Sequence, residues 1–92
     1  MKIPQPQQII EIEHGQERGD AVVSSVIPRR DLGKSWWVWL SVNLKLSEGD
    51  HITLTTEEGR FPKLAVHETE VQNSNLLIRI CVYEGLLANP SK

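Results

Sequence analysis

One cysteine and three histidines are the side chains of this 92-residue chain best suited to covalent or metal chemistry. Cys81 with His67 would supply a thiol nucleophile and a base, and His51 with His67 would supply two imidazole ligands. The sequence offers no glycine-rich oxyanion turn and no acid to orient the base. Lys45 and Arg79 are predicted to flank the histidine pair, where they would repel a metal ion. We therefore assign no catalytic residue, no metal site and no cofactor, and expect a non-catalytic protein.

The segment Pro28–Lys34 is a basic loop with a superficial likeness to a phosphate-binding loop. It ends in Gly33-Lys34 and is followed by Ser35, but it has one glycine where a phosphate-binding loop needs several, and it leads into a strand instead of a helix. An exposed loop of this kind could contact an acidic partner or phosphate through Arg29, Arg30 and Lys34.

All three tryptophans lie within residues 35–46. Every even position from Trp36 to Leu46 is apolar, whereas the odd positions begin with Trp37 and Trp39 and then become polar. Alternation with a period of two predicts a half-buried strand whose even face lies in the core. Two large aromatic side chains on the opposite face predict that something covers them.

Two interpretations of this aromatic surface are open. A partner could cover it, since tryptophan is common at the anchor points of interfaces, or the N-terminal strand or C-terminal tail of the chain itself could fold over it. The first interpretation predicts a protein-interaction or adaptor module, self-association included, because homodimers are the commonest assemblies. The predicted partner-binding residues are Trp37, Trp39, Phe61, Tyr83, Arg29, Arg30 and Lys34. An alternative is single-stranded nucleic-acid binding on the same face, with cations from Lys45, Lys63 and Arg79.

The elements that must position these residues are short and extended. Predicted strands cover residues 9–14 (with one helical turn as the competing interpretation), 21–27, 35–46, 51–56, 61–70 and 76–83, with turns at Ser47–Asp50, around Gly59 and at Gln72–Asn75. No segment has helical periodicity over three turns. The pattern predicts an all-β fold with little or no helix: a small antiparallel, partly open barrel or sandwich of five to six strands, SH3-like or OB-like.

Turn lengths and core phase predict a four-stranded meander of the last four strands. The first hairpin pairs Leu44 with Ile52, the second pairs Ile52 with Val66, and the third pairs Val66 with Ile80. This register places Lys45, His51, His67 and Arg79 in one row of the outer face. It also places Phe61 on the aromatic edge of that face.

Length and composition limit the broad class. Ninety-two residues correspond to one domain, with a flexible arm at 1–8, a β domain at 9–85 and a tail at 86–92. The net charge is −2, so bulk attraction to nucleic acid or to a membrane is not expected. The local net charge is +3 over residues 28–46 and −4 over residues 47–70. With one cysteine and no evident secretory signal, a cytoplasmic location is expected.

Overall fold

The computed structural model describes residues 5–29, 35–56 and 59–83 of the chain, and for Tyr83 the backbone only. Seven strands form one antiparallel sheet in the spatial order β5-β4-β1-β2-β3-β7-β6. Their bounds are β1 (Ile9–His14), β2 (Glu17–Arg29), β3 (Ser35–Val42), β4 (His51–Thr56), β5 (Gly59–Ala65), β6 (Glu68–Gln72) and β7 (Asn75–Tyr83). The competing helical turn at residues 9–14 is therefore excluded.

The sheet curls because its two outermost strands are joined by only two residues, Val66 and His67. A flat seven-stranded sheet would separate its edge strands by roughly 29 Å, yet three Cα–Cα steps from Ala65 to Glu68 span at most about 11 Å. The backbone N–H of Val66 donates to Asp50 beside β4, and that of His67 donates to Arg79 on β7. This corner brings the two edges of the sheet together into a curled half-barrel.

The core fills the inside of the curl with one contiguous cluster of aliphatic side chains and a single phenylalanine. Its most buried members are Ile10, Ile12, Ala21, Val23, Val38, Leu40, Ile52, Leu54, Phe61, Val66, Ile78, Ile80 and Val82. The predicted all-β class and small barrel-like architecture are confirmed. The strand count is seven instead of five to six, because the corner at Val66 and His67 divides the predicted strand 61–70 into β5 and β6.

Two hairpins have turns whose backbone conformations match the right-handed twist of the strands. The β1–β2 loop is Gly15-Gln16, and Gly15 has φ 63°, as expected of a type II′ turn with glycine first. The β6–β7 loop is Asn73-Ser74, with φ of 51° and 67°, which is the type I′ pattern. The predicted turn at 72–75 is thus confirmed.

The predicted meander is wrong at its first hairpin. β3 ends at Val42 and lies between β2 and β7, while β4 lies between β1 and β5. Residues 43–50 carry the chain from one to the other, and they still contribute Leu46 to the core. The alternation of apolar residues continues beyond the end of β3 because side chains such as Leu46 are buried, although residues 43–46 do not pair as a strand.

The other two predicted hairpins exist, but in shifted registers. Ile52 pairs with Leu64 instead of Val66, and Arg79 pairs with Glu68 instead of His67. As a result, the predicted row of Lys45, His51, His67 and Arg79 does not form: His51 pairs with Ala65.

A bulge in β5 explains the largest error. Leu54 pairs with Phe61 and Ile52 with Leu64, so Pro62 and Lys63 oppose one residue of β4. Lys63 has φ 63°, and the extra residue turns both Phe61 and Leu64 inward. Phe61 is 1% exposed, so its predicted place on the outer, partner-binding surface is wrong. A bulge is also a position where a strand proline is tolerated.

Candidate functional site

The tryptophans of β3 occupy both sides of the sheet, as the alternation predicts. Trp36 packs against the core, whereas Trp37 and Trp39 project from the outer side and are half-buried. The neighbouring strands place Ile27 and Cys81 directly opposite Trp37. We call the surface formed by Ile27, Arg29, Trp37, Trp39, Arg79 and Cys81 the tryptophan face.

Trp37 is flanked by two guanidinium groups. The Cζ atoms of Arg29 and of Arg79 each lie 4.2 Å from the centroid of its ring. Arg29 approaches from β2 at the level of Ser35, and Arg79 approaches from β7 at the level of Trp39. The two cations therefore reach Trp37 from opposite diagonals of the sheet, where long side chains contact across strands. Each cation–π contact contributes about 0.5–2 kcal/mol, more as it is desolvated.

Arg79 connects the tryptophans to an acidic edge strand. Its Cζ lies 5.8 Å from the Trp39 ring centroid, and its Nη2 lies 3.1 Å from Oε1 of Glu68 on β6. Its Nε is buried without a hydrogen-bond partner. The described contacts of the Arg79 guanidinium are therefore the two indole rings and the Glu68 carboxylate.

His67 and Cys81 both belong to the surroundings of Trp37, but not as a nucleophile and its base. The His67 ring meets the Trp37 ring edge-on, with centroids 5.0 Å apart. Cys81 is buried, and its Sγ accepts a hydrogen bond of 3.3 Å from Nη1 of Arg29. The described contacts of these two side chains are therefore packing and cation contacts around an indole.

Among the residues that the structure describes, the side chains found over the tryptophan rings are the cations Arg29 and Arg79 of the same sheet. The alternative in which the N-terminal strand folds over them is wrong for β1, since β1 lies within the sheet between β4 and β2. Gln7 and Gln8 of the predicted flexible arm exchange backbone hydrogen bonds with Val23. The predicted tail at 86–92 lies outside the described residues.

The remaining predicted site residues are dispersed. Lys45 is exposed in the connection between β3 and β4, and Lys63 is exposed in the β5 bulge. Neither is among the residues found in contact with the tryptophan face. Arg30, Lys34 and the side chain of Tyr83 lie outside the described residues.

One residue of the tryptophan face was missed by sequence reasoning. Ile27 is 49% exposed beside Trp37. β2 contains a register shift between Val23 and Ser25, so Val26 turns to the core and Ile27 to the outside. The β-branched run predicts a strand, but it carries no signal for this change of phase.

Other described charged side chains form ion pairs away from the tryptophan face. Oε1 of Glu13 lies 3.2 Å from Nε of Arg18, and its Oε2 lies 3.7 Å from Nε of Arg60. Nε2 of His14 lies 3.9 Å from Oδ2 of Asp50. Pairs of this kind contribute little to stability, and they bring no carboxylate pair into an apolar cleft.

Within residues 5–29, 35–56 and 59–83, no group of three or more histidine, cysteine or acidic side chains is arranged to hold a metal ion. Over the same ranges, no helix is long and apolar enough to cross a membrane. The chain matches no family model, no curated protein and no solved structure, so its own geometry carries the functional argument.

Proposed function

We propose that the protein is a non-catalytic interaction module that binds a protein partner, its own copy included, through the tryptophan face. The observation that carries the proposal is the position of Trp37 and Trp39: two half-exposed indoles at the centre of a sheet face, with Arg29 and Arg79 beside them. Tryptophan and arginine are the residues most enriched among energetic anchors of protein interfaces.

Preorganisation supports the proposal. A free tryptophan or arginine side chain loses rotamer freedom on binding, at a cost of about 0.5–1.5 kcal/mol for each immobilised side chain. Here the stacked guanidiniums and the ion pair between Arg79 and Glu68 already restrict these side chains. Ile27 adds apolar area directly beside Trp37. A partner would therefore meet an ordered surface with an apolar centre and cationic flanks.

A photo-crosslinking amino acid at position 27 tests the proposal in the host cell. We expect discrete protein adducts that are lost when Trp39 is replaced by alanine in the same chain. The matched control carries the crosslinker at position 60, which is also exposed but lies on β5. Adducts that form equally at positions 27 and 60, or that survive Trp39→Ala, would contradict the proposal.

Sedimentation and a salt titration separate the classes of partner. Self-association through this face predicts a wild-type mass that rises with concentration and falls to the monomer value in Trp37→Ala and Trp39→Ala. A protein interface anchored by indoles changes little in affinity between low and high salt, whereas phosphate contacts weaken steeply. A steep salt dependence together with nuclease-sensitive adducts would replace the proposal with the nucleic-acid alternative.

A further inference from the structure

Strand β6 forms one edge of the sheet, and among the described strands it pairs only with β7. Its last three residues, Glu70, Val71 and Gln72, are exposed, with Val71 at 71%. The opposite edge, β5, is interrupted by Pro62 and by the bulge, devices that protect an edge from further pairing. β6 contains neither a proline nor a bulge within its paired residues.

The hairpin register identifies the backbone groups that face outward on β6. The turn of two residues is closed by Gln72 and Asn75, and residues that close such a turn exchange both backbone hydrogen bonds. Because the pattern alternates along an antiparallel pair, Thr69 and Val71 direct their N–H and C=O groups away from β7. These groups are a template for one more strand.

Side chains along β6 specify the chemistry of that additional strand. Glu68 and Glu70 share the outer face with Arg79, since Glu68 contacts it. No described cation lies within ion-pair distance of Glu70, whose Oε1 accepts a hydrogen bond of 3.1 Å from Gln72. Val71 pairs with Leu76, which packs against the core. β6 thus presents carboxylates on one face and an apolar residue on the other.

A second copy of β6 is a poor occupant. Antiparallel self-pairing centred on Thr69 or Glu70 sets carboxylates directly opposite one another, which is destabilising, and pairing centred on Val71 offers Glu70 only Gln72. A strand with lysine or arginine on the outer face would place its cations against Glu68 and Glu70. Apolar residues at the alternate positions would extend the core beside Val71.

We infer that β6 binds, by strand addition, an extended segment of another protein in which basic and apolar residues alternate. This surface is separate from the tryptophan face, and the inference does not rest on the proposed function. The two surfaces adjoin at the contact between Glu68 and Arg79.

The experiment uses two blocked eight-residue peptides, one alternating lysine with valine and the other alternating glutamate with valine. Each is titrated into the full-length ¹⁵N-labelled protein. We expect saturable amide shifts confined to β6 and its turn with the Lys-Val peptide, and none with the Glu-Val peptide. Trp39→Ala should leave this binding unchanged, which separates it from the function of the tryptophan face.

Two variants of the edge give the decisive comparison. Val71→Pro removes an N–H that points away from β7, so it should retain the fold and weaken the Lys-Val peptide about tenfold or more. Glu70→Lys should abolish the preference for the basic peptide, and this arm decides alone if Val71→Pro does not fold. Equal binding of both peptides, shifts centred on the tryptophan face, or unchanged affinity in Glu70→Lys would overturn the inference.

Discussion

Replacement of Phe61 by alanine tests the β5 bulge, which places in the core a side chain that the sequence pattern predicted on the outer face. Phe61 is 1% exposed and packs among the aliphatic side chains of the core. Truncation of a fully buried phenylalanine costs about 3–5 kcal/mol in the free energy of unfolding, which combines lost transfer energy with a residual cavity. Small domains have a total stability of about 5–15 kcal/mol, so a loss of this size should be plainly measurable in the free energy of unfolding.

The assay is urea denaturation followed by tryptophan fluorescence. With a slope of about 2 kcal/mol per molar urea, typical of small proteins, Phe61→Ala should lower the midpoint by about 1.5–2.5 M. Val71→Ala is the matched control, because Val71 is an exposed strand residue; its midpoint should move by less than about 0.3 M. A loss below about 1 kcal/mol in Phe61→Ala would refute the bulge and return Phe61 to the outer face.

Three further predictions concern the turns and the tryptophan face. Ser74→Gly should raise the free energy of unfolding by about 0.5–1 kcal/mol, because Ser74 adopts φ 67°, a left-handed conformation that penalises side chains; an unchanged urea midpoint would contradict this. Gly15→Ala should lower the stability by about 1 kcal/mol through backbone strain alone, since an added Cβ at Gly15 meets no atom within 4 Å. Gly19→Ala, whose φ is not left-handed, is its control and should not share that loss. A double-mutant cycle of Trp37→Leu with Arg79→Met should give a coupling free energy of about 0.5–2 kcal/mol. If the two changes in the free energy of unfolding are simply additive, the cation–π contact does not stabilise the fold.

Local pattern predicted the strands well, because an extended segment with alternating polarity leaves few other conformations. The outward direction of Trp37 and Trp39 follows from that alternation, and the turn at 72–75 follows from its asparagines and serine. Both rest on interactions within a few residues of the chain.

Local pattern does not predict which strands pair, or where a bulge shifts the inward and outward alternation of side chains along a strand. One extra residue at Pro62-Lys63 turned Phe61 inward. Pro62 is compatible with a bulge, but equally with an edge strand or the start of a strand, so it does not reveal the extra residue. β2 continues through Arg29, although Pro28 and the following charges predicted a loop. The contacts of Arg29 and Arg79 with Trp37 could therefore be predicted only from the register in which β2, β3 and β7 pair. That register is determined by residues far apart in the chain.

The two-residue corner at Val66 and His67 has a consequence for how the molecule assembles. The second half of the chain forms two hairpins, and each must find a different side of the β1–β2–β3 meander, at pairings separated by about 40 residues in the chain. Because this connection is so short, pairing of one hairpin with the meander holds the other hairpin near the strand with which it pairs. The second pairing then costs only a small further loss of chain entropy. We expect the two attachments to form almost together, so that the curled sheet closes in a single late event.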